Sequence, residues 1–154
     1  MMETTLTRRA EAGFTLLELL VVIGVLALVA AVAVPSFVRP SDRARLEGAS
    51  REILSAFLRA RAVAIARVTD MAVVIDVEKR TVEWPVAPTV RVDREIEIQL
   101  TVAEPERTTS SRGAVRFYPD RSSTGGNVRL GLNGKDMHLC VDWLTGRARD
   151  AKQC

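Results

Sequence analysis

Gly13-Phe14-Thr15-Leu16-Leu17-Glu18-Leu19 opens an apolar run that continues to Val34 and carries one carboxylate, Glu18. As a helix, the run is long enough to cross a hydrocarbon core, since about 20 apolar residues suffice. A charge at the centre of such a span costs roughly 2.5–3.5 kcal/mol on insertion scales. Near one end, Glu18 has two outlets. It can snorkel toward lipid headgroups, or it can meet a positive partner. The second reading is favoured, because buried charges persist mainly when paired.

The flanks of the run read as a processing signal. Met1 to Gly13 is short and polar, with Arg8 and Arg9 just ahead of the apolar residues. An ordinary secretory signal is cut after its apolar region at small residues. Ala31 and Ala33 supply such a site, so that reading stays open. The order Gly13, then Phe14-Thr15-Leu16-Leu17-Glu18, resembles the class III leader of type IV pilins and type II secretion pseudopilins. The resemblance implies that a prepilin peptidase cuts between Gly13 and Phe14 and that the new Phe14 amine is methylated. It also implies that Glu18, fifth after the cut, acts in assembly.

The chain has 154 residues, a formal net charge of +3, a single histidine and two cysteines. Beyond the leader and the apolar run, about 115 residues remain, enough for one modest core. The positive charge is too mild to argue for nucleic acid by itself. Arg8 and Arg9 precede the span while Arg39, Arg43 and Arg45 follow it, so the positive-inside rule gives no orientation. The resemblance implies a cytoplasmic N-terminus.

Pro35 and Pro40 punctuate the exit from the run, and an interior proline kinks a helix. Pilins commonly carry a proline there, and Pro35 matches it. Ser41 or Asp42 can cap a second helix. Within it Leu46, Ile53, Phe57, Ala60 and Ala64 form an apolar stripe, widened by Leu54, Leu58, Ile65 and Val68. The period then becomes two. Met71, Val73, Ile75 and Val77 share a face, and so do Ile96, Ile98, Leu100 and Val102. Thr81–Trp84, Ala114–Tyr118 and Val128–Leu132 read as further strands. Asn133-Gly134 is a two-residue hairpin signal, after which Met137, Leu139, Val141 and Trp143 point inward. Ala103 to Arg112 reads as a polar loop, and Thr145-Gly146 as a final turn. One helix followed by about seven strands gives an α+β chain, with a long N-terminal transmembrane helix and a second helix packed on an antiparallel β-sandwich.

Two later stretches resemble H-type minor pseudopilins of type II secretion, the GspH/FimT family. They are Val115-Arg116-Phe117-Tyr118-Pro119-Asp120-Arg121-Ser122-Ser123-Thr124-Gly125-Gly126 and Val141-Asp142-Trp143-Leu144-Thr145-Gly146-Arg147. Arg121 stands where that family usually has glycine. The resemblance divides the chain into a leader (1–13), a transmembrane and filament-core helix (14–38) and a periplasmic pilin-like domain (39–154). The domain comprises an amphipathic helix (41–68) and a β-sandwich (70–152).

The residues carry little chemistry. Pro119 to Asn127 reads as a flexible polar loop. Ser122, Ser123, Thr124, Gly125 and Gly126 are candidates for contact with another subunit. A plain turn remains open, and a phosphate cradle lacks the Gly-Lys-Ser/Thr element. His138, Cys140 and Asp142 alternate on one strand face at spacings that do not match zinc sites, and a solvated outer face accounts for them. No second histidine completes a catalytic set, and Asp76, Glu78, Glu95 and Glu97 read as solvent-facing. No catalytic residue, metal or cofactor is expected. Cys140 and Cys154 read either as a bridge, contributing about 3 kcal/mol, or as two free thiols; an oxidising compartment favours the bridge.

The resemblance implies a structural subunit held in the bacterial inner membrane with its C-terminal domain in the periplasm. Its implied partners are I-, J- and K-type minor pseudopilins, the G-type major pseudopilin and the prepilin peptidase, with neither nucleic acid nor a small-molecule substrate. A FimT-like minor pilin of a type IV pilus, which can bind DNA through basic C-terminal residues, is the alternative. A periplasmic binding domain with a conventional signal peptide is a second. Arg147, Arg149 and Lys152 make the DNA question concrete.

Overall fold

The computed structural model describes residues 14–38 and 40–151. The chain divides at Arg39 and Pro40 into two compact units. In the first, helix α1 spans Leu16–Val38. Thr15 precedes it, and its Oγ1 accepts a hydrogen bond from the Glu18 amide at 3.2 Å. The Thr15 carbonyl accepts from the Leu19 amide at the same distance. Thr15 therefore caps the helix and satisfies an amide that a helix start leaves without a partner. Leu16, Leu17, Leu19, Leu20 and the apolar residues up to Val29 stand exposed. Among the described residues no helix is long and apolar enough to cross a membrane. The described side chains of α1 end at Ala30, short of the about 20 residues a span needs. Pro35 falls inside α1.

The second unit opens with α2, Asp42–Arg67. Ser41 is its N-cap, accepting from the Ala44 amide at 3.2 Å, and Asp42 stands in the first turn where the helix dipole favours an acid. All five expected stripe residues, Leu46, Ile53, Phe57, Ala60 and Ala64, are buried, together with Ser50 and Ala56. The stripe is narrower than the sequence implies. Leu58 and Val68 are exposed, 50% and 77% respectively, because they lie off the face that the sheets cover.

The strands are β1 Met71–Asp76, β2 Thr81–Glu83, β3 Val90–Arg91 and β4 Glu97–Val102, followed by β5 Arg112–Phe117, β6 Gly126–Leu132, β7 Lys135–Val141 and β8 Ala148–Asp150. They form two antiparallel sheets, ordered β3-β2-β1-β5 and β4-β6-β7-β8. α2 touches β1 and β5 of the first sheet and β6, β7 and β8 of the second; the sheets meet where β4 and β5 come together. One core results, with Phe57 of α2 against Phe117 of β5, ring centroids 6.0 Å apart. The expected α+β order of helix, then antiparallel strands, is what the chain adopts. The short β3, beyond Pro85 and Pro88, was not legible as a strand.

Local turn chemistry follows the sequence at Asn133-Gly134, where φ is 49° and 75° and Leu132 pairs with Lys135. Asp76 departs from expectation. It is buried rather than solvent-facing, because its Oδ1 turns back to accept the Lys79 amide at 2.8 Å in the β1–β2 turn. The loop before β5 is held by a two-pronged pair. Arg116 Nε and Nη2 reach Glu106 Oε1 and Oε2 at 2.7 and 3.2 Å. The C-cap of α2 is Val68, a β-branched residue in the left-handed region at φ 51°, ψ 47°. Glycine takes that conformation without steric cost, whereas an L side chain there costs roughly 1–2 kcal/mol. Val68→Gly should therefore stabilise the protein by about 0.5–1 kcal/mol after the greater unfolded-chain entropy of glycine. The thermal midpoint should rise by about 2–6 °C in a calorimetric scan; a fall would show that Val68 makes a stabilising contact.

Candidate functional site

The two stretches that resemble the H-type family come together in space. Ser123 joins them. Its amide donates to the Trp143 carbonyl at 2.8 Å, and its hydroxyl donates to the Asp142 carbonyl at 2.9 Å and accepts from the Gly125 amide at 3.1 Å. On the other side, Thr124 locks to β5. Its amide donates to the Arg116 carbonyl at 2.9 Å and its Oγ1 accepts from the Arg116 amide at 3.0 Å. The loop is thus fastened on both flanks. The expected flexible polar loop is instead a latch, with Ser123 buried at its centre. Its polar residues carry hydrogen bonds that periodicity cannot reveal.

Each half of the latch has its own internal brace. Asp120 Oδ1 accepts from the Ser122 hydroxyl at 2.6 Å and the Ser122 amide at 2.9 Å. Those bonds, the hydroxyl first, hold the Asp120 carboxyl below its ordinary range. Arg121 adopts φ 77° although it is not glycine, so the loop keeps a glycine-like conformation with an arginine in place. In the β7–β8 hairpin, Asp142 Oδ1 accepts from the Thr145 amide at 2.7 Å and the Thr145 hydroxyl at 2.8 Å. The amide is the main reason that the Asp142 carboxyl also lies below its ordinary range. Gly146, at φ 59°, lets the halves interlock. A Cβ there would lie 2.5 Å from the Arg121 carbonyl oxygen, a clash that no side chain can escape. From α2, Arg61 Nη2 donates to the Thr145 carbonyl at 3.0 Å.

Residues 8–34 match the prokaryotic N-terminal methylation motif, and residues 49–146 match type II transport protein GspH. The chain belongs to the GspH family. The type II secretion system protein H of Xanthomonas campestris pv. campestris is 31% identical over 142 residues, covering 92% of this chain and 84% of that protein. Among solved structures, the minor pseudopilin EpsH from the type 2 secretion system of Vibrio cholerae superposes with a TM-score of 0.56 at 13% identity, covering 70% of this chain and 96% of that one. The type IV minor pilin FimU of Pseudomonas aeruginosa gives 0.55 at 14% identity, covering 72% and 91%. These two likenesses establish the pilin-like fold, which both kinds of protein share.

Within this GspH-family chain the expected site residues fall in several places. Phe14 is exposed and Glu18 stands in the first turn of α1, while Gly13 lies outside the described residues. Thr15, the cap that positions the Glu18 amide, was missed, although a threonine three residues ahead of a glutamate is a known helix-start signal. Cys140 is buried and disulfide-bonded. Cys154 and Lys152 lie outside the described residues, so the Cys140–Cys154 pairing stays a proposal. Cys140 is buried on the face expected to be solvated, standing opposite Arg149 of β8, while His138 and Asp142 on that face are half-buried. Trp143 does not point inward either; it is 67% exposed. β7 ends at Val141, and the alternation that would bury Trp143 ends with it. His138 Nε2 is 2.9 Å from Asp136 Oδ2. Among the described residues no three His, Cys, Asp or Glu side chains gather to hold a metal.

The latch makes two measurable demands. Ser123→Ala removes a buried hydroxyl with two partners and should destabilise the protein by about 1–3 kcal/mol, read by denaturant titration. Asp142 and Asp120 have native values depressed below the ordinary 3.8. Their contribution to stability is full above that pH and is lost as pH falls through the depressed values. The thermal midpoint should thus decline below about pH 4, and Asp142→Asn should flatten that acid limb; an unchanged limb would show that the carboxylate does not brace the hairpin.

Proposed function

We propose that this protein is a minor pseudopilin of the type II secretion system, a structural subunit and not an enzyme. The carrying observation is its 31% identity with a type II secretion system protein H across 92% of the chain. The fold alone does not separate this role from that of a type IV minor pilin, since EpsH and FimU superpose about equally well. The apolar exposed face of α1 supports the reading. A helix of that character is at home in lipid or in a bundle of like helices, not in water. Residues 14–38 then anchor the subunit in the inner membrane, with the C-terminal domain in the periplasm. After cleavage between Gly13 and Phe14 by the prepilin peptidase and methylation of Phe14, α1 leaves the bilayer for the helical core of the pseudopilus, bending at Pro35. The subunit sits near the tip with I-, J- and K-type minor pseudopilins, above the G-type subunit. There it helps push folded proteins through the outer membrane. The Cys140–Cys154 bridge closes the C-terminal segment in that oxidising compartment.

Glu18 pairs with a terminal amine, its own or a neighbour's, and in a low-dielectric core that attraction sets helix register. Mass analysis of assembled protein should find methylated Phe14 as its first residue. Glu18→Val should leave insertion and cleavage nearly intact but reduce secretion and the recovery of the G-type subunit at least tenfold, about the 1.4 kcal/mol of one lost ion pair. A terminus after Ala33, or normal secretion by the variant, would sink the proposal.

A further inference from the structure

A concave groove of about 410 Å³ lies between α2 and β8, lined by Leu58 and Arg61 of α2 and by Arg147 and Arg149 across from them. Three arginines against one acid, Asp142, give it a net positive lining. Arg43, Arg45, Arg51, Arg107, Arg112, Arg116 and Arg129 each have a carboxylate within 4.0 Å. Among the described residues, no such ion pair forms at Arg61, Arg147 or Arg149, nor at six arginines elsewhere, and it is the gathering of these three on one groove that sets them apart. The one acid lining the groove, Asp142, accepts hydrogen bonds from Thr145 of its own turn, and the charge of Arg149 also acts on its carboxylate. Arg61 is anchored by the Thr145 carbonyl, and its Nε is buried without a hydrogen-bond partner. An apolar fringe adjoins these cations. Leu58, Trp143 and Leu144 are 50%, 67% and 63% exposed, and in the second unit only Val68 and Val86 are comparable large apolar residues among those described.

We propose that this groove docks an acidic protein segment with apolar side chains, offered by a neighbouring subunit. Guanidinium forks match carboxylates two-pronged, and arginine and tryptophan are the side chains that most often anchor interfaces. The segment's carboxylates meet Arg147 and Arg149 while its apolar side chains cover Leu58 and Leu144. This deepens the assembly reading and rests on it for the identity of the donor. A nucleic-acid strand fits less well, because three phosphate contacts give a salt slope of only about −2.7 and the apolar fringe has no counterpart on a phosphate backbone.

The test uses the full chain purified in detergent and a fluorescein-labelled peptide of alternating glutamate and leucine, titrated at low ionic strength. Saturable binding is expected. It should weaken about tenfold in Arg147→Ala with Arg149→Ala, the effect of roughly 1.4 kcal/mol. Leu144→Gln at the exposed tip should also weaken it, while Lys79→Ala on the distant β1–β2 turn should not. A peptide with glutamine for glutamate should not bind. The proposal is overturned if the acidic peptide does not saturate, if Lys79→Ala weakens it as much as the arginine pair does, or if a random-sequence DNA duplex binds more tightly and loses that binding in the arginine variant. Binding is measured on the isolated chain. Its failure is therefore separate from failure of the assembly reading, which Glu18→Val tests in cells.

Discussion

The second unit depends on one constraint: a single face of α2 has to serve two sheets. Leu46, Ile53 and Phe57 fill the space beneath the helix at its start and middle, and Ala56, Ala60 and Ala64 let the strands come close along its second half. Burial of side chains such as Ile53 and Phe57 contributes about 1.5–3 kcal/mol each. Because both sheets share these residues, neither has a complete core without the helix. The loops at the end of α2 inherit their positions from that packing. Arg61 can reach the Thr145 carbonyl only because the second sheet is already seated on the same helix.

The helix stripe was readable because a period of 3.6 survives any tertiary context that buries one face. Its five central residues are all buried, with Ser50 and Ala56 beside them. The strands were readable where alternation was long, as in β4 and β7, and the β6–β7 turn was readable because two adjacent residues there need positive φ. What failed were readings carried to the end of a strand or beyond it. Trp143 was assigned inward by carrying the β7 alternation two residues beyond Val141, and Asp76 was assigned outward without regard to the turn that follows it. In both cases a local hydrogen-bonded turn overrode periodicity.

The site was legible in a different way. Resemblance marked two stretches far apart in the chain, but it could not say that they bind each other. Ser123 is the residue that joins them, and a serine among serines carries no signal of burial. Arg121 shows the opposite. Its departure from glycine put the loop in question, yet the backbone keeps φ at 77°. Contacts to Tyr118 and the notch at Gly146 hold the conformation that the side chain disfavours. The groove arginines were visible as basic residues, but their gathering beside Arg61 of α2 is a property of the fold.

The Thr15 cap has a consequence for proteolysis. The hydroxyl and carbonyl that close the first turn of α1 belong to a residue on the product side of the proposed cut. Removing the leader therefore leaves the start of the helix intact, and no refolding step need follow. A cut there would change the charge. It would place a new ammonium two residues ahead of Leu16, at a helix end that already bears about half a positive charge. Two like charges would crowd that terminus, and a subunit alone in lipid would have only its own Glu18 to answer them. Processing would then leave the helix geometry as it was but raise the electrostatic cost of remaining solitary, a bias toward company written by a protease rather than by a conformational change.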